Sequence, residues 1–113
     1  GKWSQKEMLG HLIDSGISNL QRFTEVQFEA KPFRIRNYNQ NELISANNYQ
    51  DAELSNLVEF WMGLNRRILD VISNQTEETL AYEVLVYEDE IKDLRWLMTD
   101  YVSHIGHHIG QLK

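Results

Sequence analysis

The chain has 113 residues, 42% of them hydrophobic and 11% aromatic, enough for one core and too few for two ordinary domains, so residues 1–113 read as a single domain. Its 17 acidic against 11 basic side chains leave a net charge of −6, which disfavours nucleic-acid phosphates and anionic membranes as partners. With no cysteine, disulfides, thiolate metal sites and a cysteine nucleophile are excluded, and any metal must sit on nitrogen and oxygen ligands.

Trp3-Ser-Gln-Lys-Glu-Met8 has the form of a helix start, with Ser4 as cap, Glu7 reaching back to it and Trp3 free to pack on Met8. Met8, Leu12, Leu20 and Phe23, flanked by Ile13 and Ile17, keep helical spacing to about Phe28, and Pro32 ends any continuation. From Lys31 to Gln50 the composition turns to Asn, Gln, Tyr and Arg, which reads as a long connection with one strand-like fragment, Phe33 to Arg36. Asp51 is placed to cap a second helix carrying Leu54, Leu57, Val58, Trp61, Leu64, Ile68, Leu69 and Ile72 as a wide apolar stripe. Leu80 to Tyr87 is β-rich and fits an extended piece beside the Phe33 fragment. A third long helix starts near Asp93 and carries Leu94, Leu97, Met98, Tyr101, Ile105, Ile109 and Leu112 on one side. No apolar run approaches the roughly 20 residues of a membrane span, and the opening residues carry no signal pattern, so a soluble cytoplasmic protein is expected.

Three of the four histidines fall in Ser103-His-Ile-Gly-His-His108, and the fourth, His11, lies early in the first helix. Residues four apart on a helix are turned by about 40° and separated by roughly 6 Å, so His104 and His108 can address one point, as chelating ligands do. His107 is turned about 100° from His108 and reads as a surface or subunit contact. His11 joins the pair only if the first and last long helices run antiparallel, and the twenty-residue connection is long enough to allow that course. The same spacing also fits histidines that are simply packed and hydrogen-bonded, so at this point both readings stand. Gly106 and Gly110 lie on one ridge, which suits either close approach of another helix or loose local packing.

Gly1-Lys-Trp-Ser4, Glu7, Gly10-His-Leu12, Asp100-Tyr-Val-Ser-His104 and His107-His-Ile-Gly-Gln-Leu112 together resemble the DinB-like superfamily, with its YfiT-type members. Tyr38-Asn39, Tyr49 and Asn65-Arg66 fit the same pattern, so the likeness spans nearly the whole chain. The resemblance implies an all-α four-helix bundle with an up-down-down-up course and a long crossover. It also implies one divalent ion, commonly nickel or zinc, held by His11, His104 and His108. Relatives include transferases that use low-molecular-weight thiols. The family's Trp-Ser motif normally follows a first helix, whereas here it opens the chain; the first helix of the bundle is therefore expected to be missing and an apolar groove exposed, to be covered by that helix or a neighbouring subunit.

Three histidines on a tetrahedral ion leave a position for water or thiol, which suits a small-molecule thiol transferase or a hydrolase. Asp14, Asp100 and Gln111 are candidates to orient the histidines. On the first helix His11, Ser15, Ser18 and Arg22 form a line, and Arg22 is a candidate for an anionic substrate group, although such polar lines more often face water. The competing functions are a non-enzymatic, metal-stabilised homodimer and a metal-free interaction module; a nucleic-acid role finds no support in the charge.

Overall fold

The computed structural model describes the backbone of residues 3–112 and the side chains of residues 3–107. Three long helices, α1 (Gln5–Glu25), α3 (Leu54–Ser73) and α5 (Leu94–Leu112), carry the fold, with short helices α2 (Gln40–Asn47) and α4 (Glu77–Leu80) in the connections. Among the described residues no helix is long and apolar enough to cross a membrane.

Helix α1 begins as its residues dictate. The Ser4 hydroxyl accepts from the Glu7 amide at 3.1 Å and the Ser4 amide donates to the Glu7 carboxylate at 3.0 Å, so two amides without helical partners are satisfied together. The helix stops at Glu25, three residues before the expected end, and Phe28 stands 68% exposed beyond it. Between those ends α1 is surrounded: it packs along α3 and also meets α2 and α5, burying Leu12, Ile13 and Phe23 almost completely.

The connection from Lys31 to Gln50 is more ordered than its polar composition suggests. Asn39 accepts from the Glu42 amide at 2.9 Å and starts α2, and Asn48 closes that helix in the left-handed region at φ 49°, a conformation that asparagine tolerates. Only Ile44 of α2 is buried, so its sequence carries little apolar periodicity. A single 3-10 turn, Tyr49–Asp51, follows. Asp51 does not cap the second long helix; its carboxylate accepts from the Asn48 side chain at 2.8 Å, and Glu53 occupies the cap position of α3 without a side-chain bond.

The β-rich fragments form a small sheet. Strand β1 (Phe33–Arg34) lies beside β2 (Glu83–Leu85), as expected, and runs parallel to it; β2 also pairs antiparallel with β3 (Ile91–Asp93), which the sequence reading did not anticipate. Val84 is fully buried beneath the helices. Asp93 accepts from the Trp96 amide at 2.8 Å and starts α5 at the expected place.

Of the wide stripe on α3, Leu57, Leu64 and Ile68 are buried, whereas Leu54, Val58 and Leu69 are exposed, as are Ile17 on α1 and Phe28. Ile17, Leu20, Phe28 and Leu64 line an open hollow between α1 and α3, with Gln21, Thr24 and Glu25 at its edge.

Two glycines of similar sequence context differ in purpose. A methyl group on Gly10 would overlap the ring of Tyr49, so α1 and the crossover meet as closely as they do only because position 10 has no side chain. A methyl on Gly106 would meet nothing within 4 Å, so no helix approaches it among the described residues, contrary to the close-approach reading; Gly110 lies outside the described side chains. Gly10→Ala should therefore lower the urea midpoint by the equivalent of about 1–3 kcal/mol through overpacking, whereas Gly106→Ala should raise it by up to about 1 kcal/mol through helix propensity. Equal shifts in the two variants would refute the distinction.

Candidate functional site

Four polar side chains of α1 are buried: His11, Asp14, Asn19 and Arg22. Burial of such groups is costly unless each finds a partner, so their partners define what α1 does. Asp14 accepts from the Tyr49 hydroxyl and from Asn47 at 3.0 Å, which fastens α1 to the end of the crossover directly beside Gly10. Burial pushes the Asp14 carboxyl above its usual 3.8, with the hydrogen bonds from Tyr49 and Asn47 pulling the other way. Asn19 donates to the Ser15 carbonyl at 2.8 Å.

Arg22 is 9% exposed, so the expectation that its line on α1 faces water is overturned. It donates to the Arg36 carbonyl at 2.6 Å and to Asn19 Oδ1 at 3.5 Å, and its guanidinium lies 5.5 Å from the ring centre of Tyr38. The Arg36 carbonyl and Tyr38 come from the crossover, and no helical pattern reveals them.

His11, Ser15, Asn19 and Arg22 line one cavity of about 280 Å³. Its opposite wall is α5, with Asp100, Tyr101 and His104, and its remaining sides include Trp3, Tyr38 and Tyr87. Histidines from the two ends of the chain thus face one space: His11 is 5% exposed at its base, whereas the His104 side chain is 65% exposed. Asp100 stands 3.9 Å from Nε2 of His104, one helical turn away. The Trp3 ring lies 5.0 Å from that of His11, tilted by 37°, so the tryptophan of the helix start covers the histidine. Tyr101 ties the walls together, packing edge-on against Phe23 of α1 at 5.9 Å and donating to Asn65 of α3 at 2.8 Å.

Of the expected site residues, His11, Arg22, Asp100 and His104 share this cavity. Asp14 is turned to the crossover latch, and Ser18 faces a second hollow of about 250 Å³ on the far side of Arg22. His107 is exposed. His108 and Gln111 lie outside the described side chains, and among the described residues no three His, Asp or Glu groups are gathered closely enough to hold an ion. Asn19, Tyr38, Tyr87 and Trp96 were not singled out as site residues. Asn19 was legible as the next step after Ser15 on the helix, whereas Tyr87 arrives through the β2–β3 turn, which no local pattern announces.

A family model described as the DinB superfamily matches residues 1–112. The chain belongs to the DinB superfamily. Among solved structures, this DinB protein is similar to YfiT from Bacillus subtilis, described as a probable metal-dependent hydrolase with an unusual four-helix bundle topology. The two share 24% identity with a TM-score of 0.87 over 99% of this chain and 64% of YfiT, so the DinB chain has that four-helix-bundle fold and spans under two thirds of the length of that relative. No curated protein matches it.

Tyr49 and Tyr101 link this site to pH. Burial raises the hydroxyl of each above the ordinary 10.0, assisted at Tyr49 by the hydrogen bond to Asp14 and its charge, and at Tyr101 by Tyr38. A phenol whose folded value is raised loses its proton more easily in the unfolded chain, so its contribution to stability is complete below the unfolded value and is lost as pH climbs towards the folded one. The unfolding free energy of this DinB protein should fall as pH rises from about 10, with a shallower fall in Tyr101→Phe, measured by urea titration at a series of pH values. A flat alkaline limb would contradict this assignment.

Proposed function

We propose that the protein is a metal-dependent enzyme of the hydrolase or thiol S-transferase type, acting in the cytoplasm on a small molecule, with one divalent ion held by His11, His104 and His108. The observation that carries this reading is the convergence of a buried His11 from α1 and an open-faced His104 from α5 on one cavity, in a chain of the DinB superfamily. The donors fit such an ion: imidazole nitrogens suit nickel and zinc, and Asp100 at 3.9 Å from His104 is close enough to orient that ring. An ion bound there supplies Lewis acidity and acidifies a water or thiol ligand at neutral pH. The protein's own part is to hold the imidazoles in fixed directions, with Trp3 against His11, and to wall the reacting group away from bulk water with Tyr38, Tyr87 and Trp96. A low-molecular-weight thiol is the co-substrate this reading favours among transferases, as the family resemblance implies.

The exposed groove between α1 and α3 supports a second reading, in which the ion is structural and two copies form a non-enzymatic homodimer through Ile17, Leu20, Phe28 and Leu64. In both readings the groove is covered by a second copy.

Metal content, measured by mass spectrometry on protein purified without an affinity tag, should be about one ion per chain and should be lost in a His104→Ala, His108→Ala double variant. Protein that carries no ion and takes up neither added nickel nor added zinc would remove the metal-dependent reading. Sedimentation should find a dimer that dissociates in Phe28→Glu with the fold retained; a monomer at all accessible concentrations would remove the proposed partner.

A further inference from the structure

Among the described residues Arg22 is the one Lys or Arg side chain lining the 280 Å³ cavity, and no carboxylate pairs with it. A guanidinium carries five N–H donors, and two partners are described here, the Arg36 carbonyl and the Asn19 side chain, both neutral. The position of Arg22 in the last turn of α1 lets the helix carbonyls offset part of its charge, and the Tyr38 ring offsets a little more. Neither neutralises a buried cation as a carboxylate does. Among the described residues the cavity's one carboxylate, Asp100, lies a turn from His104 on the α5 wall.

The cavity is therefore charged unevenly. Eleven residues of α-helix separate His11 from Arg22, about three turns, so both project to one side of α1 with their Cα atoms roughly 16 Å apart. Both side chains lean towards the N-terminus, so only the greater length of Arg22 shortens that gap, to on the order of 10–15 Å. The lining of the cavity mixes small polar groups, Ser15 and Asn19, with aromatic and aliphatic side chains such as Tyr38, Trp96, Ile35 and Leu97.

We propose that Arg22 is a substrate-anchoring residue and that the substrate is an elongated organic carboxylate, its acid end on Arg22 and its reacting group at the histidines. Carboxylate is favoured over phosphate because, among the described residues, Arg22 is the one guanidinium lining this cavity and keeps donors beyond its two described partners, which matches one planar monoanion; a phosphate dianion calls for a second cation, and Arg36 lines only the second hollow, which Arg22 also borders. The position of the reacting group rests on the metal-dependent reading above, whereas the anchoring role of Arg22 does not.

Hexanoate and its neutral counterpart hexanol serve as probes, titrated into metal-free protein and followed by the fluorescence of Trp3 and Trp96 and by amide chemical shifts. Wild-type protein should bind hexanoate about tenfold more tightly than hexanol, with shifts at Ser15, Asn19 and Tyr38, and Arg22→Gln should remove that preference. Arg22→Lys, which keeps the charge and loses the fork, should retain part of it, and this variant carries the comparison if the Gln variant fails to fold by circular dichroism. Equal binding of acid and alcohol by wild type, or a preference that survives Arg22→Gln, overturns the proposal. Repeating the titration with nickel added separates the two ideas: a preference that appears only with nickel and ignores Arg22 places the acid on the ion and overturns the anchor. Failure to take up nickel, with the Arg22-dependent preference intact, leaves the anchor standing and counts against the metal reading alone.

Discussion

The structure turns on the requirement that a helix enclosed by its neighbours must still satisfy the polar groups it buries. Helix α1 meets α2, α3 and α5, and along its length it carries His11, Asp14, Asn19 and Arg22, all shielded from water. An apolar helix in that position would pack without conditions, whereas this one dictates where its surroundings place acceptors and donors. Asp14 draws in Tyr49 and Asn47, and Arg22 draws in the Arg36 carbonyl. The route of the crossover follows from those two demands, and the cavity is the space left between the crossover, α1 and α5.

Much of this was legible in the residues. The capping box at Ser4 and Glu7, the span of α3, the start of α5 at Asp93 and the pairing of the two β-rich fragments all rest on local chemistry, and the structure reproduces them. The short helix α2 was not legible, because a helix that buries only Ile44 has no apolar period to display. Asp51 misled as a cap because Asn48, three residues earlier, competes for its carboxylate.

The site divided along the same line. His11 and His104 could be singled out from type and spacing, and a shared cavity is where they meet. Arg22 was misjudged because the polar line on α1 is indistinguishable from a solvated face until the chain that covers it is known. Its cover is Tyr38 and the Arg36 carbonyl, at long range and in a segment that reads as loop. Tyr87 enters the cavity wall through a turn whose Glu88 and Asp89 hold positive φ, 58° and 59°, without a glycine to mark it.

The crossover is gripped at two points, by Arg22 near its start and by Gly10 and Asp14 near its end. Between the grips lie Tyr38 and Gln40, both of which face the cavity. A segment clamped on either side can change its residues, and even its length, while the helices that hold the histidines keep their places. His11, Arg22 and His104 sit on helices packed into the bundle, whereas Tyr38 and Gln40 reach the cavity from the stretch between the two grips. The shape of the cavity can therefore be altered at Tyr38 and Gln40 while Ile44, which packs into the core from the same stretch, is kept.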